Sequence, residues 1–292
     1  MRDRLLPDIP LWSFRISIVI GVLAILLLTR FQNFYFPESS PIDNVTGFPL
    51  LDPLLIHLYS GIILSLVIFW GSFYSDKQKN PILNLLKAFG FTFLLVSFIF
   101  LLEILLEEYW LKPAFFYNRP PQEYQKPDTW LTAYIESLMG WNSEPGAPTS
   151  TPSGFVMRQL FLSFLLLIYG ETLKKASKLK KVLLVYGPAL LFFLLVVFLR
   201  VWRGKHSFFD VGIAIGTGTL LFWPFWLFIY SILGKDGMKI YIRDFIVPSG
   251  FLFCFSFIFS GHSTSWAYAS LIIFGLLGIG YTKAIQVSGR KS

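Results

Sequence analysis

The sequence predicts an all-α integral membrane protein with about eight transmembrane helices, and three observations carry that expectation. Of the 292 residues, 54% are hydrophobic and only 14% charged, with a mean hydropathy of +0.61. A water-soluble domain of that composition would have to turn a largely apolar surface to water. The apolar residues also form unbroken runs of the roughly 20 residues a bilayer crossing needs, not the spaced stripe of an amphipathic helix. Finally, clusters of Lys and Arg fall after alternate runs, the pattern that sets membrane orientation.

Taken in order, the runs read as spans at about 11–31, 54–74, 88–107, 155–173, 182–200, 208–233, 245–260 and 266–284. Arg2 and Arg4 precede the first, and no small-x-small cleavage pattern follows it, so it reads as a retained span and not a signal peptide. Lys77 and Lys79 follow the second. Lys174, Lys175, Lys178, Lys180 and Lys181 separate the fourth from the fifth. Lys235, Lys239 and Arg243 follow the sixth, and Lys283, Arg290 and Lys291 the eighth. All of these fall on one side, which is cytoplasmic by the positive-inside rule, with both termini inside. The outer side receives the 32–53 loop, a long 108–154 segment rich in Pro, Trp and Tyr, the short 200–207 connection and the 261–265 turn. Asn44-Val45-Thr46 matches a glycosylation sequon, and the stretch from Trp130 to Trp141 suits a short interfacial helix.

Several functions are set aside by composition. The net charge of +8 sits mostly in the short cytoplasmic loops, so it calls for no nucleic-acid partner. Cys254 is the single cysteine and excludes an intramolecular disulfide. With only three histidines beside it, no zinc site is expected.

The outer face nevertheless carries Lys112, Arg119, Arg200, Arg203 and Lys205, against the charge bias. Three local patterns organise these cations. Lys112 and Arg119-Pro120 are separated by six residues just past the third span. Pro152-Ser153-Gly154 opens the fourth span, where the N–H groups of a helix N-terminus can bind an anion. Arg200 and His206 are separated by five residues, and His206 and Asp210 by three. On a helix His206 and Asp210 lie one turn apart, so the carboxylate can hold one ring nitrogen and leave the other aimed at a substrate.

In this order and spacing the three patterns resemble the signature of the type 2 phosphatidic acid phosphatase (PAP2) superfamily of membrane lipid phosphatases: K-x6-RP, PSGH and SR-x5-H-x3-D. The resemblance covers the third to sixth spans directly and the first six by architecture. It implies a PAP2-like core over 1–233, with its motifs in 112–210, and an additional two-span hairpin with a short tail over 234–292. It further implies that His206 is the nucleophile forming a phosphohistidine and that Asp210 orients it. Lys112, Arg119 and Arg200 would clamp the phosphoryl oxygens, with Ser153 and Gly154 completing the cradle. No metal or other cofactor is called for, because the cations already supply the positive charge.

Two positions depart from the pattern. Leu199 stands where the family has a small hydroxyl residue. Phe155 stands where the family's histidine protonates the departing oxygen, a role phenylalanine cannot fill. Arg158, one turn further along the span, is expected to face the site or a carboxylate, and Glu103, Glu107 and Glu108 are available to pair with the cations. His262, in the outer 261–265 turn, is a possible replacement acid, as is His57 near the outer end of the second span. Gly212 and Gly216 suggest a close helix contact.

The expected function is a lipid phosphatase or phosphotransferase. It would cleave a phosphomonoester or pyrophosphate of an envelope lipid (a phospholipid, an isoprenoid pyrophosphate or a lipid A-type substrate) at the outer leaflet, in a bacterial cytoplasmic (inner) membrane. The alternative is a catalytically impaired relative that binds phospholipid headgroups.

Overall fold

The computed structural model describes residues 11–31, 51–73, 80–107, 111–115, 118, 120, 124–125 and 151–241. Among these the regular structure is helix, with no strand. The helices are α1 (Leu11–Leu28), α2 (Pro53–Ile68), α3 (Pro81–Leu106), the short α4 (Lys112–Phe115), α5 (Gly154–Gly170), α6 (Lys178–Trp202) and α7 (Phe208–Tyr241). Six of the eight expected segments therefore coincide with described helices, while 245–260, 266–284 and the Trp130–Trp141 stretch lie outside the described residues.

Helix starts follow local chemistry. Asp52 caps α2 by accepting the Leu54 N–H at 2.7 Å, with Pro53 in the first turn. Asn80 caps α3 by accepting the N–H groups of Ile82 and Leu83, both at 3.1 Å, with Pro81 next. That cap starts α3 seven residues before the expected span at 88, because Asn-Pro is a start signal that hydropathy alone passes over. At the other extreme α7 runs to Tyr241, beyond the expected limit at 233, through Gly234 and Gly237.

Helix α5 is the axis of the bundle. Each of its residues except Leu167 is buried, and α2, α3, α6 and α7 all pack on it. A helix buried on every side must be apolar all round or pair its polar groups internally. Gln159 accordingly donates to the Ser60 hydroxyl at 2.8 Å, and the Ser163 hydroxyl to the Ala189 carbonyl at 3.0 Å. Helix α1 packs mainly on α7. There Gly216 faces Ile25 so closely that a Cβ would collide, and Gly21 faces Thr219. Gly216 thus makes the close helix contact its sequence suggested.

The outside of this bundle is its oily part. Leu179, Leu183, Leu184 and Leu190 on α6 are all at least 60% exposed, as are Ile82, Leu86 and Phe93 on α3, whereas Glu103, Gln159 and Asp210 are fully buried. Among the described residues two helical stretches, Pro53–Gly71 and Lys178–Trp202, are long and apolar enough to cross a membrane. Phe14–Leu28, Pro81–Phe93, Gly154–Gly170 and Phe208–Trp223 are shorter apolar stretches.

The helices alternate in direction. At one end the C-terminus of α1 meets the N-terminus of α7, with Phe31 edge-on to Phe208 at 6.4 Å. At the opposite end Trp12 meets Tyr186 at 6.2 Å, and Gly71 abuts Thr172. The first of these ends collects the polar residues considered next.

Candidate functional site

Two local motifs bring Arg200, His206 and Asp210 together. Helix α6 ends in a Schellman turn: the Lys205 N–H bonds the Arg200 carbonyl at 3.2 Å, and the Gly204 N–H bonds the Val201 carbonyl at 3.0 Å. Gly204 takes φ +62, and its face is pressed on the Tyr124 carbonyl, so both its conformation and its lack of a side chain are required. The turn folds His206 back over Arg200, whose carbonyl also accepts the His206 N–H at 3.3 Å. Helix α7 then starts with a capping box in which Asp takes the acidic position. The Ser207 N–H donates to Asp210 Oδ2 at 2.7 Å, and the Asp210 N–H donates to Ser207 Oγ at 3.3 Å.

The side chains follow from that frame. His206 Nδ1 lies 3.7 Å from Asp210 Oδ2, while its Nε2 lies 3.4 Å from an Arg200 Nη2. Guanidinium can only donate, so Nε2 carries the lone pair and the ring proton sits on Nδ1, facing the carboxylate. Asp210 is held from a second direction by the Thr151 hydroxyl, which donates to Oδ1. His206, Asp210, Arg200 and Thr151 are all buried.

Phe155 forms the floor beneath this group. Its ring lies under the Arg200 guanidinium, 4.4 Å from ring centre to Cζ. His57 also stacks nearly parallel to this ring, with centroids 5.7 Å apart and 9° between planes. His57 Nε2 is 3.1 Å from the Phe155 carbonyl, which can only accept, so this ring carries its proton on Nε2.

Beyond Phe155 lies a second polar group, made of ion pairs. Arg158 Nε is 2.7 Å from Glu103 Oε2, and its Nη2 is 2.8 Å from Glu107 Oε2. Lys112 Nζ is 3.0 Å from Glu107 Oε1. Glu103 and Glu107 stand one turn apart on α3, so both reach the same guanidinium. The Glu107 carboxylate also presses on Gly154, where a Cβ would collide with both of its oxygens. Ser153 caps α5 without a side-chain hydrogen bond, and its buried hydroxyl has no partner among the described residues.

The structure therefore gathers His206, Asp210, Arg200, Ser153, Gly154, Lys112 and Arg158 at one end of the bundle. Arg158 meets two carboxylates, as an arginine in that position was expected to, and Glu107 and Glu103 are the carboxylates. Arg119, Glu108 and His262 lie outside the described residues. Sequence reasoning did not single out Thr151, Ser207 or Gly204. The last two had a signal: Ser207-x-x-Asp210 ahead of an apolar run is a capping-box spacing, and a glycine just past a helix is its terminator. Thr151 reaches Asp210 from 59 residues away in sequence, and no local pattern announces that bond.

Among the described residues no group of three or more His, Cys, Asp or Glu is arranged to hold a metal ion. The chemistry on offer is that of an oriented imidazole beside fixed cations. Comparison with protein-family models, with curated proteins and with solved structures finds no match to this chain.

Proposed function

We propose that this chain is an eight-span integral membrane phosphatase of the PAP2 type, with both termini cytoplasmic and its site at the outer leaflet of a cytoplasmic membrane. Its core would be 1–233, and 234–292 an added hairpin. The membrane reading is supported by the exposed leucines of α6 and the buried charges of the interior, since lipid, unlike water, favours that arrangement. The catalytic reading rests on one observation: His206 sets Nδ1 3.7 Å from Asp210 Oδ2 and Nε2 3.4 Å from Arg200 Nη2, an arrangement that favours a proton on the first and a lone pair on the second.

In that arrangement Nε2 attacks phosphorus, a P–N bond forms and the P–O bond to the leaving group breaks. Asp210 stabilises the imidazolium that results, as a carboxylate does for any histidine that takes positive charge in the transition state. Arg200, joined by Lys112 and Arg119, offsets charge on the phosphoryl oxygens. Water then attacks phosphorus, the P–N bond breaks and phosphate leaves. Phe155 offers no proton to the leaving oxygen, which favours substrates whose leaving group is already acidic, such as an isoprenoid pyrophosphate, over a phosphomonoester such as phosphatidic acid or the phosphate of a lipid A-type molecule.

A second reading, a phospholipid headgroup binder without turnover, is favoured by Phe155 alone: an aromatic floor under Arg200 serves binding as well as catalysis. Phosphate release by the purified protein in detergent, from phosphatidic acid and undecaprenyl pyrophosphate, separates the two. The catalytic reading requires release that disappears in His206→Ala. Binding of these lipids without release would establish the other.

A further inference from the structure

Beside the N-terminal end of α5 lies an anion that belongs to the chain. Glu107 bonds Lys112 through one carboxylate oxygen at 3.0 Å and Arg158 through the other at 2.8 Å. Both oxygens press on Gly154, the first residue of a 17-residue helix, where the positive pole of the helix lies. Beside it Ser153 keeps a fully buried hydroxyl with no partner among the described residues. A helix N-terminus, a lysine and an unsatisfied hydroxyl lie together here, and a carboxylate of one negative charge holds the lysine.

Resting on the reading of this end of the bundle as a phosphate site, we infer that Glu107 is a specificity-determining charge filter. Its carboxylate occupies Lys112 beside the α5 N-terminus, and yields it only to a phosphoryl group carrying two negative charges.

Headgroup phosphates and the Glu107 carboxylate compete for the same lysine. A membrane surface consists of phosphodiester headgroups, each with a single charge on its phosphate, and an open cationic cradle would be filled by them. Glu107 is tethered, so it competes without the loss of translational freedom that a lipid incurs on binding. A phosphodiester brings Lys112 no more charge than the carboxylate it must displace. A phosphomonoester or terminal pyrophosphate brings about −1.5 to −2 and additional acceptor oxygens, so the exchange favours it. Two features make the exchange feasible. Glu107 follows the last regular residue of α3, Leu106, where a side chain can turn away without breaking the helix. Glu103 meanwhile stays on Arg158 at 2.7 Å, so the guanidinium keeps a counter-charge when Glu107 leaves.

The test is isothermal titration of the full chain in detergent with two ligands, dihexanoyl phosphatidic acid and its phosphate methyl ester, which differ by one charge. The wild type is expected to prefer the phosphomonoester by about tenfold or more. In Glu107→Gln the preference falls towards one because the methyl ester gains affinity. Glu107→Asp keeps the charge that balances Lys112 and Arg158 but withdraws it from Gly154. It lowers the preference in the same direction, and it carries the test if the Gln variant does not fold. A wild-type preference near one, or a preference unchanged in the variants, overturns the inference. Phosphate release measured on the same samples reports separately on catalysis: the expected preferences without release remove the phosphatase and keep the filter.

Discussion

Phe155 divides the polar end of the bundle into two halves that handle charge differently. On one side Lys112, Glu107, Arg158 and Glu103 form a closed chain of ion pairs at 2.7 to 3.0 Å, two cations against two carboxylates. On the other side Asp210 is held by a backbone N–H and two hydroxyls, and its imidazole neighbour, 3.7 Å away, points a lone pair towards Arg200. In the first half each carboxylate faces a cation. The second is oriented, with one imidazole nitrogen facing a carboxylate and the other beside Arg200. On the proposed reading the second half performs the chemistry, while Arg158, bonded to both carboxylates, chiefly holds the first half together: removing Arg158 should cost stability, and breaking the second half should cost rate.

The largest expected effect falls on the second half. Asp210→Asn should lower turnover by about 10³- to 10⁴-fold, because the amide can hold His206 with the proton on the wrong nitrogen and cannot stabilise the imidazolium. Steady-state phosphate release measures this, and a melting temperature close to the wild type's would assign the loss to chemistry. In the first half, Arg158→Met leaves two buried carboxylates facing each other. It should destabilise the protein by about 3–5 kcal/mol, the usual cost of removing one partner of a buried pair, read from denaturant unfolding in detergent. If Arg158→Met lowered rate with stability unchanged, the division of labour drawn here would be wrong.

Substitutions on the boundary are expected to be milder. Phe155→His introduces a proton donor beside Arg200 and should raise the rate on a phosphomonoester by about 10²-fold, with less gain on a pyrophosphate. A uniform gain on both substrates would mean that leaving-group protonation is not what Phe155 withholds. Phe155→Leu keeps an apolar side chain but removes the ring under Arg200, and should cost about 1–2 kcal/mol in the same unfolding measurement.

Much of this arrangement is legible in the sequence, in identifiable ways. The six helix positions follow from apolar runs, and their alternation from the Lys and Arg clusters. Alternation alone carries Lys112, Ser153, Arg200 and His206 to the same end. The pairing of Glu103 and Glu107 with Arg158 was half legible: the spacing of four puts both carboxylates on one face of α3, but not opposite a particular arginine. Helix limits were less legible, because Asn80-Pro81 starts α3 where hydropathy is still low, and α7 runs on through two glycines. The stacking of His57 on Phe155 and the bond from Thr151 to Asp210 join residues 98 and 59 positions apart. Contacts of that kind arise from packing, and periodicity carries no trace of them. A phenylalanine in place of a histidine was plain in the sequence. Its setting, beside an arginine and a stacked imidazole, was not.

The central claim is that His206 Nε2 is the nucleophile, and trapping the covalent intermediate tests it most directly. The purified protein would be quenched in alkali during turnover of ³²P-labelled undecaprenyl pyrophosphate and its peptides examined for label. The account predicts an acid-labile, alkali-stable phosphate on His206, absent from His206→Ala. Turnover without any such label in the wild type, or label and turnover persisting in His206→Ala, would contradict it.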